Sequence, residues 1–302
     1  MRIAVLGAGA MGSIYGGHLS LHNDVYLVDT NQTIVDHINK NGLIVQENGS
    51  DVIYHPTAIT SSEGLEPVDL IILFVKSLFS RAALSSNRHL IGPDTYLMTL
   101  QNGSGHEDIL AEFVPETRII IGTTEDNGAV LAPGHVRRGG AGKTNIGMLT
   151  EDKDNFLPKV KEVLDSCGFH GNIHSNIQQL IWNKLFTNVS LSAVTGVLQV
   201  PIGFIAGNEH AWNITKQLIH EAVAVAHGLG LEADEEKIVE EVRMVSVNSP
   251  EGITSICADL RDGRKTEVNT ISGSVVRASK KCGVPAPTHE MIVELVHAME
   301  ER

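Results

Sequence analysis

Three polar residues, Lys184, Asn188 and Ser192, recur at every fourth position of the otherwise apolar stretch Ile181-Trp182-Asn183-Lys184-Leu185-Phe186-Thr187-Asn188-Val189-Ser190-Leu191-Ser192-Ala193-Val194. In a helix this spacing aligns the three side chains on one stripe, while Leu185, Phe186, Val189 and Val194 cover much of the rest. A polar stripe on so apolar a helix faces either water or a polar cleft. In a cleft, a lysine whose pKa is lowered by burial and neighbouring positive charge can give a proton to a carbonyl that is receiving hydride. On a surface the same lysine is only a solvated cation. Further along, Ser255 and its neighbour Thr254 can offer hydroxyls to a carboxylate. Glu267 falls in the first turn of a helix predicted over Thr266 to Cys282, a place that the helix dipole explains equally well. No Gly-x-Ser-x-Gly elbow supports a serine nucleophile. Cys167, His170 and His174 have a superficially metal-like spacing but straddle a predicted helix end and lack a fourth ligand nearby, so no metal is called for.

Hydride chemistry needs a donor held in place, and the N-terminus carries the pattern for one. Arg2 to Leu6 is a β-rich apolar run that breaks at Gly7-Ala8-Gly9-Ala10-Met11-Gly12 and continues into helix-compatible residues as far as Leu21. Gly7 allows the tight turn, Gly9 lets backbone approach a pyrophosphate, and Gly12 lets the helix pack close to the strand. The free N–H groups of the helix then face the phosphates. Val25 to Val28 forms a second strand that ends at Asp29, about twenty residues on, where a carboxylate can bond a ribose 2′-OH. Two more polar residues lie at predicted C-terminal strand ends, the edge where open α/β sheets bind ligands. Lys76 follows the apolar run Asp69 to Val75, and either touches cofactor or ends its strand in solvent. Asn102 follows Tyr96 to Leu100, and either bonds a nicotinamide ribose or substrate oxygen or serves as half of an Asn-Gly turn.

These elements define an α/β chain: an N-terminal Rossmann-type dinucleotide-binding domain over 1–172 and an all-helical C-terminal domain over 173–302. Glycine-punctuated pieces around Gly128, Gly134, Gly139-Gly140 and Gly147 are expected to add antiparallel strands to the parallel sheet. With 302 residues, the chain is long enough for two cores. Its net charge of -13 argues against a nucleic-acid partner. Three widely spaced cysteines do not suggest a disulfide framework, so a reducing cytoplasm is the simplest setting. The first strand starts at residue 2, which leaves no signal peptide, and no apolar run is long enough to span a bilayer. A homodimer is the commoner arrangement for such a protein.

Taken together, these motifs resemble the ketopantoate reductase family, the 2-dehydropantoate 2-reductases. The resemblance runs over almost the whole chain and rests on the glycine turn, Lys76, Asn102-Gly103, Gly122-Thr123-Thr124, Trp182-x-Lys184-x3-Asn188, Ser255-x3-Asp259 and Thr266-Glu267. It implies that Lys184 is the proton donor, that Asn188 holds substrate, that Asn102 contacts cofactor and substrate, and that Ser255 binds the substrate carboxylate. It also implies that Glu267 lies near the nicotinamide ribose and the lysine, and that Gly128 contacts cofactor through its backbone. Two residues depart from the pattern. Ser192 stands where the well-known members carry a second substrate asparagine. Asp29 stands where NADP-using members place an arginine, and a carboxylate accepts from the 2′-OH of NAD but repels the 2′-phosphate of NADP.

The expected activity is therefore reduction of a small-molecule 2-oxoacid, 2-dehydropantoate, to (R)-pantoate, a step of pantothenate biosynthesis, with NAD rather than NADP as cofactor. A sister activity is an NAD-dependent (R)-2-hydroxyacid dehydrogenase acting on other branched 2-oxoacids such as 2-ketoisovalerate or 2-ketoisocaproate. A more distant alternative is the β-hydroxyacid dehydrogenase group, which also carries a lysine–asparagine helix pair, and an alternative of another class is a non-catalytic nicotinamide-binding sensor.

Overall fold

In the computed structural model, which describes residues 1–302, the run Arg-Ile-Ala-Val-Leu forms the strand β1 (Arg2–Leu6), buried at every position but the first. Residues buried on both faces of a strand mark the interior of a parallel sheet. β1 indeed pairs in parallel with β2 (Asp24–Val28) on one side and with β6 (Leu70–Leu73) on the other. Beyond β2 lies β5 (Thr57–Ile59), and beyond β6 lie β7 (Tyr96–Thr99) and β8 (Ile119–Thr124), all parallel. β11 (Lys143–Met148) then runs antiparallel to β8, and β12 (His170–Ile173) pairs in parallel with β11, completing an eight-stranded sheet of order β12-β11-β8-β7-β6-β1-β2-β5. Helices α1 (Ala10–Leu19), α2 (Gln32–Asn41), α3 (Ser80–Ser86), α4 (Glu107–Leu110) and α5 (Leu157–Ser166) belong to the same unit.

The glycine-rich stretch does not simply extend this sheet. Only β11 joins it, whereas β9 (Asn127–Ala132) and β10 (His135–Gly140) form a second sheet of order β4-β3-β10-β9 with β3 (Leu43–Glu47) and β4 (Ser50–Tyr54). The reason lies in what holds the hairpin. β9 lies so close over α1 that a Cβ on Gly128 would sit 2.5 Å from Ile14 Cδ1, and Arg138 of β10 is anchored by buried acids described below. Close approach of backbone to a helix is a tertiary feature that glycine permits without announcing.

Around this second sheet runs a buried polar network. Arg138 meets Asp126 at 2.6 Å, with side chains 7% and 0% exposed, and comes to 3.7 Å from Glu47. The Tyr54 hydroxyl donates to Glu47 at 2.7 Å, and His18 Nε2 lies 3.1 Å from the same carboxylate. Burial holds the His18 pKa down at about 4, and Arg138 pushes the same way, against the attraction of Glu47 and Asp126. The unfolded chain takes up this proton near pH 6.5 and the folded chain only near 4. Between those values the unfolded state binds more protons, so stability falls as the pH falls through that window. Thermal melts of the protein should show Tm decreasing from pH 6.5 towards 4, and His18→Gln should flatten that slope. Equal slopes for the two proteins would remove His18 from the effect.

The second unit comprises Asn102–Gly105 together with Gln178–Arg302. It contains most of α6 (Ile177–Leu198), followed by α7 (Gly203–Gly207), α8 (Glu209–Gly228), α9 (Glu235–Asn248), α10 (Ser255–Arg261), α11 (Ser272–Cys282) and α12 (Pro287–Glu300). Three of its helices start at side chains that accept first-turn N–H groups: Asn208 for α8, Asp234 for α9 and Thr254 for α10. Trp182, Leu185, Phe186 and Val189 of α6 pack in one core with Leu218 and Ala222 of α8, Val275 of α11 and Val296 of α12. No helix is long and apolar enough to cross a membrane. The helix expected from Thr266 begins only at Ser272. Residues 267–271 form a bend and a turn, with the carbonyls of Asn269 and Thr270 committed to Arg277 and to the Ser104 N–H rather than to the next helical turn. Glu267 therefore lies at that bend, not in the first turn of a helix as expected.

Candidate active site

The first turn of the chain has the geometry of an anion cradle. Gly7 adopts φ +102°, which L side chains rarely accept, and a Cβ on Gly12 would fall 1.8 Å from the Gly7 carbonyl oxygen, so strand and helix can be joined this closely only by glycines. Gly9 caps α1 without a side chain, and no acidic residue occupies the first turn. A Cβ there would meet nothing within 4 Å. First-turn N–H groups left without a side-chain cap, on the positive end of a helix and facing open space, suit a pyrophosphate. Ala8, Ala10 and Met11 complete the turn, with Ala8 buried and the other two half-buried.

Asp29 stands just past the end of β2. One carboxylate oxygen accepts the Ala8 N–H at 2.7 Å and the other the Asn31 N–H at 2.9 Å. These bonds orient the carboxylate, and the lone pairs that remain can accept further donors. Asp29 lines a cavity of about 520 Å³ in the first unit together with Gly7, Gly9, Thr30, Ser61, Lys76 and Phe79. The half-buried Lys76 thus stands at the cavity wall rather than in open solvent. Thr60, Ser61, Phe79 and Asn87, which also line it, carried no motif. β5, which ends one residue before Thr60, is only three residues long, and Ser62 beside it bonds Asn87 across 25 residues of sequence. Such long-range pairing leaves no periodic signal. Gly128 is exposed on β9, above Ala10 and Ile14 of α1. The cradle, the cavity and the oriented carboxylate fit the pyrophosphate and adenosine portions of a dinucleotide, and no group of three or more potential metal ligands gathers anywhere in the chain.

In the second unit, α6 grades its polar stripe by depth: Lys184 is exposed, Asn188 half-buried and Ser192 buried, with only 4% exposure. Ser192 is joined to Ser255 through two threonines. Thr195 of α6 bonds Thr254 Oγ1 at 2.7 Å, and Thr254 reaches the Ser192 carbonyl at 3.3 Å while it caps α10. The exposed Ser255 opens that helix. Thr195 carried no sequence signal, and the Thr254 hydroxyl, expected beside Ser255 as a donor to a carboxylate, is instead buried and bonded to Thr195, to the Ser192 carbonyl and to the Cys257 N–H. The loops that bear Asn102 and Glu267 are likewise tied to each other at Thr270. Its carbonyl accepts the Ser104 N–H at 2.9 Å, two residues from Asn102, and its own N–H donates to the Glu267 carbonyl at 3.0 Å. Asn102 is exposed and Glu267 half-buried.

Comparison with known proteins agrees with this layout. The family model for ketopantoate reductase PanE/ApbA matches residues 3–151, and the model for the C-terminal part of ketopantoate reductase PanE/ApbA matches residues 176–300. A 2-dehydropantoate 2-reductase of Streptococcus pyogenes is 31% identical over 302 residues, covering 99% of this chain and 98% of the relative. One from Pyrococcus horikoshii is 32% identical with the same coverage. Among solved structures, the ternary structure of D-mandelate dehydrogenase with NADH and anilino(oxo)acetate superposes with a TM-score of 0.89 at 32% identity, covering 100% of this chain and 98% of that one. With both parts of the family description matched in order and relatives aligned from end to end, the chain belongs to the ketopantoate reductase family, whose members are NAD(P)-dependent oxidoreductases.

Proposed function

We propose that this protein reduces the ketone of a branched 2-oxoacid, 2-dehydropantoate, to (R)-pantoate with NADH as the reductant. The observation that carries the reading is the stripe on α6, a lysine, an asparagine and a serine at successive turns running from exposed to buried, in a chain of this family. The dinucleotide, when bound, supplies hydride to the carbonyl carbon. The chain supplies everything else. Lys184 gives a proton to the carbonyl oxygen as negative charge develops there, Asn188 and Ser192 hold the substrate, and Ser255 bonds its carboxylate. Asn102 contacts cofactor and substrate, and Glu267 lies by the nicotinamide ribose and the lysine. The turn Gly7 to Gly12 holds the pyrophosphate, and Lys76 and the Gly128 backbone add cofactor contacts. The test is an NADH-oxidation assay over a panel of 2-oxoacids, repeated with NADPH. The highest kcat/KM is expected for 2-dehydropantoate with NADH, and the absence of turnover for every acid would leave a nicotinamide-binding sensor.

A second reading keeps the chemistry and changes the acid. Ser192 shortens the pocket wall relative to an asparagine, and a D-mandelate dehydrogenase with NADH is a similar solved structure. An (R)-2-hydroxyacid dehydrogenase acting on 2-ketoisovalerate or 2-ketoisocaproate would give its highest kcat/KM on those acids in the same panel.

Cofactor choice rests on Asp29. Its carboxylate is held by two backbone N–H groups in the cavity wall, where it accepts from ribose hydroxyls and repels a 2′-phosphate. Asp29→Asn should therefore lower the NADH:NADPH ratio of kcat/KM by about 10–100-fold, the worth of a hydrogen bond to a charged group. A wild-type enzyme that prefers NADPH would refute this role of Asp29 and leave the fold untouched.

A further inference from the structure

The two loops of the second unit that bear Asn102 and Glu267 are tied together by one guanidinium. Arg277, on α11, donates from Nη1 to the Asn269 carbonyl at 2.6 Å and from Nη2 to the Ser104 carbonyl at 3.3 Å. The loops also touch directly: the Ser104 N–H reaches the Thr270 carbonyl at 2.9 Å. Gly103, at φ +97°, passes so close that a Cβ would lie 2.0 Å from that same oxygen. The far side of the turn is pinned by α12. Glu300 Oε1 accepts both the N–H and the hydroxyl of Thr266, at 2.7 and 2.6 Å. His297 bridges Glu300 through Nδ1 at 3.0 Å and Asn269 Oδ1 through Nε2 at 3.1 Å. The Glu300 side chain is only 3% exposed, and these bonds hold its carboxyl below the ordinary range although burial opposes them.

A chain of bonds that runs from α12 through the turn to the Asn102 loop does more than is needed to stop one end of a helix from fraying. We propose that Arg277, backed by the Glu300–His297 pair, is a positioning clamp that sets Asn102 and Glu267 relative to each other, so that both meet the cofactor and substrate in register. The inference rests on the site roles proposed above for those two residues. In this role Arg277 acts through the loops, by its bonds to the Asn269 and Ser104 carbonyls. Its planar fork suits the task, since it presents separate N–H groups to the two carbonyls along fixed directions, whereas the donors of an ammonium rotate on a flexible stem.

The experiment compares Arg277→Ala, Arg277→Lys and Glu300→Gln, each alone and with Asn102→Ala, in the full-length protein. Amide hydrogen exchange at residues 102–105 reads the clamp without reference to activity, and exchange there should accelerate in Arg277→Ala. Unchanged exchange would overturn the clamp. NADH titration and steady-state kinetics read its link to function. Arg277→Ala should weaken NADH binding and lower kcat/KM by about tenfold in the wild-type background, but by less than about threefold once Asn102 is already alanine, because coupled residues do not add. Full additivity would overturn the positioning of Asn102, and restoration by Arg277→Lys would reduce Arg277 to a mere charge. Glu300→Gln keeps the shape of the side chain and guards against a fold that collapses, and it should show the same non-additivity in weaker form. If Asn102→Ala alone leaves NADH binding and kcat/KM at wild-type values, the site reading has failed, and the clamp stands or falls on exchange alone.

Discussion

Lys184→Ala is expected to lower kcat for 2-oxoacid reduction by ~10²–10⁴-fold while NADH binding stays at its wild-type value, since a general acid acting in the transition state contributes about this much. The reasoning starts from the product. A ketone that accepts hydride becomes an alcohol only if its oxygen also receives a proton, and the most economical donor is a cationic side chain already beside that oxygen, which stabilises the negative charge as it forms. Lys184 is the lysine of the graded stripe on α6, two turns before the buried Ser192. Its exposure means that truncation removes little packing, so the melting temperature should barely move, as for ordinary surface substitutions. Loss of rate with stability retained is what separates chemistry from folding. Lys184→Arg should not restore the rate, because a guanidinium keeps its proton and presents it along different directions. Stopped-flow or steady-state NADH oxidation beside a thermal melt reads both quantities. A kcat within a factor of about two of wild type would remove Lys184 from the mechanism, since even the weak end of general acid catalysis is worth ~10².

The parts of this molecule that could be read from sequence are those whose physics is local. The turn Gly7 to Gly12 is recognisable because a φ of +102°, and a position where any Cβ would fall 1.8 Å from a carbonyl oxygen, each call for glycine, so the residue types record the geometry. The four-residue spacing on α6 is recognisable because helical periodicity is a property of the segment itself. What escaped was set by partners distant in sequence. β9 and β10 look like any antiparallel pair, and their departure into a second sheet depends on Arg138 finding Asp126 and Glu47. The late start of α11 depends on the Asn269 and Thr270 carbonyls bonding Arg277 and Ser104. Nothing in Thr266-Glu267-Val268-Asn269-Thr270 announces that Ser104, more than 160 residues away, will take one of its carbonyls. The same holds for the wall of the cavity beside Asp29. Asp29 was expected from its distance to the glycines, whereas Ser61, Phe79 and Asn87 come to the wall only through the packing of β5 and α3.

The buried pair Asp126–Arg138 should be the most sensitive point of the first unit. Asp126→Ala is expected to lower its unfolding free energy by about 3–5 kcal/mol, the cost of stranding one partner of a buried ion pair. The magnitude follows from where the charges lie. Asp126 Oδ1 accepts from Arg138 Nε at 2.7 Å and Nη2 at 2.6 Å, and neither side chain has access to water worth the name, at 0% and 7% exposure. Without Asp126 the guanidinium keeps Glu47 at 3.7 Å, the Gly168 carbonyl at 3.3 Å and the face of Phe169 at 4.9 Å. These contacts compensate in part, which places the expected loss within the quoted range rather than above it. Arg138→Met in the Asp126→Leu background should recover much of the stability, because a buried pair replaced by apolar groups of similar volume is often neutral. If instead the double variant is as unstable as the single, the pair is holding β10 by direction and not merely avoiding a stranded charge. NADH affinity distinguishes the same two cases. Asp126 immediately precedes β9, which carries Gly128 over the N-terminal half of α1, so directional anchoring predicts weaker NADH binding in both variants, and charge neutralisation alone predicts recovery in the double. Urea unfolding and NADH titration of the three proteins measure both quantities, and an Asp126→Ala loss below about 0.5 kcal/mol, the scale of an ordinary surface substitution, would show that the pair is not what holds the second sheet to α1.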